Sequence, residues 1–124
     1  MKVVISVPGV FHAFHLGRQL QQREALRKIY TSFPRFALDT TGIPRSKVHP
    51  IRRSELIMQV GDRLPALKSL VPTASQRPFV KWKNRVLDRN VARKLRISDN
   101  VLFIGFAGCS LQSIQRANEL GFTT

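Results

Sequence analysis

Two stretches of the chain follow the same order: an apolar run, a glycine-bearing turn, then an amphipathic segment. That repetition narrows the possible folds more than any other feature. The first runs through Val3-Val4-Ile5-Ser6-Val7, then Pro8-Gly9, then a segment carrying Phe11, Phe14, Leu16 and Leu20. β-Branched residues favour an extended backbone, Pro8-Gly9 ends it, and the later spacing is helical. The second runs through Val101-Leu102-Phe103-Ile104 and Gly105-Phe106-Ala107-Gly108-Cys109, then Leu111, Ile114, Ala117 and Leu120. A strand that is apolar at every position is covered on both faces, as in a parallel sheet flanked by helices. Ser110 stands where an N-cap belongs, and Gly121 where a helix ends. These patterns predict an α/β fold with both strands side by side in one sheet, aiming their turns at a common crevice.

The intervening chain fits such a fold. Ile29-Tyr30-Thr31-Ser32 predicts a second strand, stopped by Phe33-Pro34, so the opening forms a βαβ unit with a right-handed crossover. Residues 34–50 hold the turn formers Asp39, Gly42, Pro44 and Pro50, which predict loop with a short strand around Val48. From Ser54 onward, Ile57, Val60, Leu64, Leu67 and Val71 share a helical face that Gly61 weakens and Pro65 breaks. Residues 75–95 predict the longest helix, with an apolar stripe opening on Phe79, Trp82 and Val86 and drifting to Leu87, Val91 and Leu95. Trp82 is expected in the core. Phe122-Thr123-Thr124 reads as the start of a further strand, which implies a chain cut short there.

Length and composition set the outer limits. The 124 residues suit one domain. The single cysteine, Cys109, excludes an intrachain disulfide and a cysteine-based zinc site, and fits a reducing, cytoplasmic setting. The apolar run after Lys2 is too short for a signal peptide, and no window reaches the length of a membrane span. Charge is the outlying property: 21 Lys and Arg against 7 Asp and Glu give +14, with a pI near 11.6. Such a balance calls for an anionic partner, whether nucleic acid, an anionic lipid surface or phosphorylated small molecules.

Arg77, Lys81, Arg85, Arg89 and Arg93 recur every four residues and form a cationic ridge along the long helix. Solvation is the commoner reason for helical charges; the alternatives are acidic lipid headgroups and a nucleic-acid backbone. A small basic nucleic-acid-binding module is the second reading of the whole chain. Against it, the ten aromatics are not interleaved with the basic residues, and no helix-turn-helix, zinc or RNA-recognition signature occurs.

Gly9 lies at the carboxyl end of the first strand, where open α/β sheets bind ligands and the next helix offers backbone N–H groups to an anion. The G-x-G-x-x-G and G-x-x-x-x-G-K patterns are both missing, so a dinucleotide or P-loop site is not predicted, and a glycine serving only the turn is the plainer alternative. Gly105, Gly108 and Ser110 repeat that arrangement on the same strand-end side. His12 and His15 share a helical face near the first turn, but no third ligand is suitably spaced for a metal, and surface imidazoles are the commoner case. Cys109 has no histidine near it in sequence and reads as a small buried residue rather than a nucleophile.

Taken in order, Val3-Val4-Ile5-Ser6-Val7-Pro8-Gly9, Phe11-His12-Ala13-Phe14, Leu20, Tyr30-Thr31-Ser32-Phe33-Pro34, Gly42-Ile43-Pro44, Asp88-Arg89-Asn90-Val91-Ala92 and Gly105-Phe106-Ala107-Gly108-Cys109-Ser110-Leu111 resemble the N-terminal domain of family 4 (group 1) retaining glycosyltransferases. The resemblance implies a GT-B architecture: two facing Rossmann-like domains, the first holding the acceptor and the second most of the nucleotide sugar. By that resemblance Gly9 matches the glycine near the donor diphosphate, and Phe11 to His15 would line the acceptor side. No bound metal or cofactor is implied, because backbone N–H groups, Lys and Arg neutralise the departing diphosphate; a nucleotide sugar is the co-substrate of the full enzyme. The acceptor would be a saccharide or lipid, as in polysaccharide assembly, with the basic surface at the anionic inner membrane face. Ile104 stands in the region where many members carry a histidine, and the second domain has no counterpart, so this chain alone is expected to be inactive.

Overall fold

A computed structural model describes residues 1–9, 12–32, 42–51 and 76–124, with the backbone alone for 76–79. In chain order the described elements are β1 (Lys2–Val7), α1 (His12–Gln22), β2 (Leu26–Thr31), a 3-10 turn (Arg45–Lys47), β3 (Val48–Pro50), α2 (Gln76–Lys94), β4 (Val101–Gly105) and α3 (Leu111–Glu119). The expected helix from Ser54 onward lies outside the described residues.

The four strands form one parallel sheet in the order β3-β2-β1-β4. β1 is central, with Lys2 opposite Val101 and Ser6 opposite Gly105 on one side, and Val7 opposite Thr31 on the other. The expected adjacency of the two apolar strands is therefore present. From β1 the chain winds outward through β2 and β3, then returns to β1's other side as β4. That is the strand order of one half of a doubly wound sheet, with a topological switch point between β1 and β4. Beyond β4, Thr123 makes a single isolated parallel bridge to Leu102, and its carbonyl accepts the Phe103 N–H at 2.7 Å.

Alternation along β1 sends side chains to opposite faces and so divides the core in two. Val3, Ile5 and Val7 pack with Ala13 and Phe14 of α1, Leu26 and Ile29 of β2, and Val48. Val4, Tyr30 and Phe103 pack on the other face with Leu87, Val91 and Leu95 of α2 and Ala117 of α3. Each of these large aliphatic side chains is fully buried or nearly so, which contributes about 1.5–3 kcal/mol apiece. Leu16 is exposed instead, because α1 turns Ala13, Phe14 and Gly17 inward.

Both shorter helices end in the same motif. After α3, Phe122 N–H donates to Ala117 and Gly121 N–H to Asn118, both at 3.0 Å, with Gly121 at φ +77°. After α1, Ala25 N–H donates to Leu20 at 2.8 Å and Glu24 N–H to Gln21 at 3.0 Å, with Glu24 itself left-handed at φ 55°. These are Schellman closures. The second uses no glycine, and it delivers the chain directly into β2, which begins at Leu26 rather than at Ile29 as expected. The polar residues that masked this start are tolerated because Arg27 stays exposed and Lys28 lies 5.8 Å over the Tyr30 ring.

Candidate functional site

The carboxyl ends of β1 and β4 lie side by side at the switch point, each passing into a glycine turn. In the β4–α3 turn, Gly105 closes the strand. A Cβ there would sit 2.5 Å from Ser110 Cβ, so only glycine lets the loop fold back this tightly. Gly108 takes φ +81°. Ser110 Oγ accepts the Phe106 N–H at 3.1 Å, and the Cys109 N–H and thiol both reach the Phe106 carbonyl at 3.2 Å.

Ser110 occupies the N-cap position of α3 but makes no side-chain capping bond. That expectation is corrected: the cap comes from another helix. Asp88 of α2, buried, accepts the Gln112 N–H on Oδ2 and the Ser113 N–H on Oδ1, each at 2.8 Å, and the Ser113 hydroxyl on Oδ1 at 2.6 Å. Ser110 cannot do this work because its oxygen is already committed to Phe106. A carboxylate of the protein thus sits where the start of α3 would otherwise attract an anion. Sequence reasoning missed Asp88, although one signal pointed to it. It lies between Leu87 and Val91 on the inward face of an otherwise basic helix, where an acidic side chain must have a partner.

Cys109 is buried and carries a thiol pushed up by its burial; the Ser110 hydroxyl pulls it down, Asp88 pushes it up and Lys83 pulls it down. The net direction is upward, and the residue is buried. Ser6, fully buried in β1 and opposite Gly105, has no hydrogen-bond partner for Oγ among the described residues.

The β1–α1 turn differs. Pro8 and Gly9 are partly buried, and the Ser32 hydroxyl donates to the Pro8 carbonyl, tying the turn to the end of β2. α1 carries no acidic residue in its first turn. His12 and His15 are exposed on α1. Phe11 lies outside the described residues. His49 is elsewhere, its Nε2 3.0 Å from the Ser46 carbonyl and its ring 5.8 Å from that of Tyr30. Among the described residues no group of three His, Cys, Asp or Glu side chains could hold a metal ion.

On α2, Lys81, Arg85, Arg89 and Arg93 are exposed, and the Arg77 side chain lies outside the described residues. Trp82 is 50% exposed, not in the core as expected. At about 100° per residue it stands half a turn away from Val91, whose side chain defines the inward face. Among the described residues, no helix is long and apolar enough to cross a membrane.

Together these features define an α/β unit with a four-stranded parallel sheet flanked by helices and two glycine turns at its switch point. No protein-family model matches the chain, and neither a curated protein nor a solved structure matches it significantly.

Proposed function

We propose that the chain is the acceptor-side half of a retaining, GT-B-type glycosyltransferase that moves a hexose from a nucleotide sugar to a saccharide or lipid acceptor. Its own residues supply one wall of the site and leave it inactive alone. The observation that carries this reading is the parallel pairing of β1 with β4, which sets two glycine turns at one edge of the sheet with helices on both faces. Ligands of open α/β sheets bind at that position.

The two turns take different parts in this reading. When a glycosyl diphosphate breaks, negative charge develops on the leaving group, and preorganised amides lower the barrier by meeting it. The β1–α1 turn, with Gly9 and no acidic residue at the start of α1, suits that role. The β4–α3 turn, with Gly105, Gly108 and Ser110, forms the opposite wall, because Asp88 already satisfies the amides of Gln112 and Ser113. His12 and His15, exposed one helical turn further on, face the acceptor.

Amide-resolved NMR titration of the chain with UDP-glucose and GDP-mannose tests the reading. Saturable shifts centred on Gly9 and residues 12–15, weaker at Gly105 and Gly108, are the expected result. Silence at Gly9 through His15 at millimolar ligand, with either donor, sinks it.

A further inference from the structure

The α2–α3 pair carries an arginine-rich groove that shares no lining residue with the two glycine turns. An open groove of about 370 Å³ runs between the two helices, lined by Arg89, Ala92, Arg93 and Arg96 from the α2 side and by Gln112 and Arg116 from α3. Four arginines therefore line one concavity together with Ala92 and Gln112. Two are partly engaged: Arg116 pairs with Glu119 at 2.8 Å, and one nitrogen of Arg96 closes α2 on the carbonyls of Arg93 and Leu95. Arg89 and Arg93 pair with no carboxylate among the described residues.

The groove continues into a longer track. Arg85, Arg89 and Arg93 are all exposed and rise in steps of about 6 Å along one side of α2, comparable to the separation of consecutive phosphates on an extended strand. Trp82, half-exposed, lies two turns before Arg89 on the same face. The aromatic adjoins the cations, as the helical spacing predicts, and is exposed rather than packed in the core.

We infer that this face binds the phosphodiester backbone of single-stranded nucleic acid, with the arginines on the phosphates and Trp82 stacking on a base. Charge complementarity selects a polyanion, and a half-open aromatic beside a cationic row is the arrangement by which single strands are held without base readout. A bilayer fits less well. Helices that lie on membranes insert a continuous apolar face, whereas the exposed large apolar residues of α2, Val80 and Trp82, stand about half a turn apart and Leu87 and Val91 are committed to the core. A flat headgroup layer also cannot follow a concave groove. The inference does not depend on the sugar-transfer reading, since it uses no residue of the two glycine turns.

Trp82 is the only tryptophan and so reports directly on this face. The test uses the chain with a fluorescein-labelled single-stranded 15-mer of mixed sequence, over a series of salt concentrations. Quenching of Trp82 and saturable anisotropy are expected. Arg89→Gln/Arg93→Gln should weaken binding about ten-fold or more and make the slope of log affinity on log salt shallower by about 1.4, from two lost phosphate contacts. Arg23→Gln/Arg45→Gln removes the same charge from exposed positions outside the groove and should change affinity by no more than about three-fold. Equal losses in the two double variants, or no binding, overturn the inference. So does an oligonucleotide that leaves Trp82 unchanged while phosphatidylglycerol vesicles shift its emission to the blue.

Discussion

The β1–α1 and β4–α3 turns have nearly the same local sequence order and opposite electrostatic states. Both follow an apolar strand, both contain glycine, and both open a helix at the same edge of the sheet. At β4–α3 a buried carboxylate from a third element takes the amides of Gln112 and Ser113, while at β1–α1 the tie is a hydroxyl donated to the Pro8 carbonyl and the helix begins without an acid. The comparison teaches that a glycine turn before a helix is only a capacity for binding anions. Whether it is available depends on what the rest of the fold has already placed there.

The sharpest way to break this contrast is to remove the carboxylate. Asp88→Ala should cost on the order of 3 kcal/mol, read by chemical denaturation, since it strips a charged acceptor from two amides and a buried hydroxyl. Sulfate should then restore part of the melting temperature in the variant more than in the parent, because the start of α3 is open to an anion. An equal sulfate response in both would show that Asp88 is not what closes that end.

Gly105→Ala comes next. Its Cβ would meet Ser110 Cβ at 2.5 Å, and relieving that clash should cost about 2 kcal/mol while leaving the β1–α1 turn unchanged in NMR spectra. If instead the shifts at Gly9 move as much as those at Gly108, the two turns are coupled and cannot be treated as separate walls.

Ser6 lies between the two turns, and its unpartnered hydroxyl gives a change of opposite sign. Ser6→Ala should stabilise the chain by about 1 kcal/mol, because a buried polar atom is removed with little change of shape. Destabilisation would mean that the hydroxyl has a partner after all.

The smallest effect is alkaline. The folded Cys109 thiol ionises above its ordinary value of 9.0, so as pH rises past that value the unfolded chain loses its proton first. The folded state then holds more protons, and stability falls with increasing pH. Burial pushes Tyr30 up from 10.0 as well and adds the same sign at higher pH. Thermal melts should be level from about pH 7 to 8.5 and decline above 9, with Cys109→Ala removing the first part of the decline. A decline unchanged in that variant assigns it to other groups.

Much of this architecture was legible because it is written locally. The apolar runs of β1 and β4, the short strand at Val48 and the glycine that ends α3 each depend on a few neighbouring residues, and each stands where the pattern put it. The misreadings share one cause, which is that periodicity names a face without saying what lies against it. Trp82 continues the apolar stripe of α2 on paper, yet the helix docks on the sheet through Leu87, Val91 and Leu95. The cap on α3 was beyond any local rule, since Asp88 reaches it across 24 to 25 residues of chain. Glu24 in a left-handed conformation was hidden for a different reason: the pull of the Schellman bonds outweighed the preference for glycine.

The position of β1 has a kinetic consequence. Both of its neighbours follow it in the chain, β2 after a single helix and β4 only near the far end, where Lys2 must find Val101. Closing so long a loop is entropically costly before any contact rewards it, so the β1–α1–β2 unit can assemble early while the β4 side waits. During that interval the central strand has one edge open and Val4 uncovered on the face that α2 and α3 later close. The high positive charge of the molecule then has a role unrelated to any ligand, because mutual repulsion between copies keeps such half-built sheets from pairing with one another.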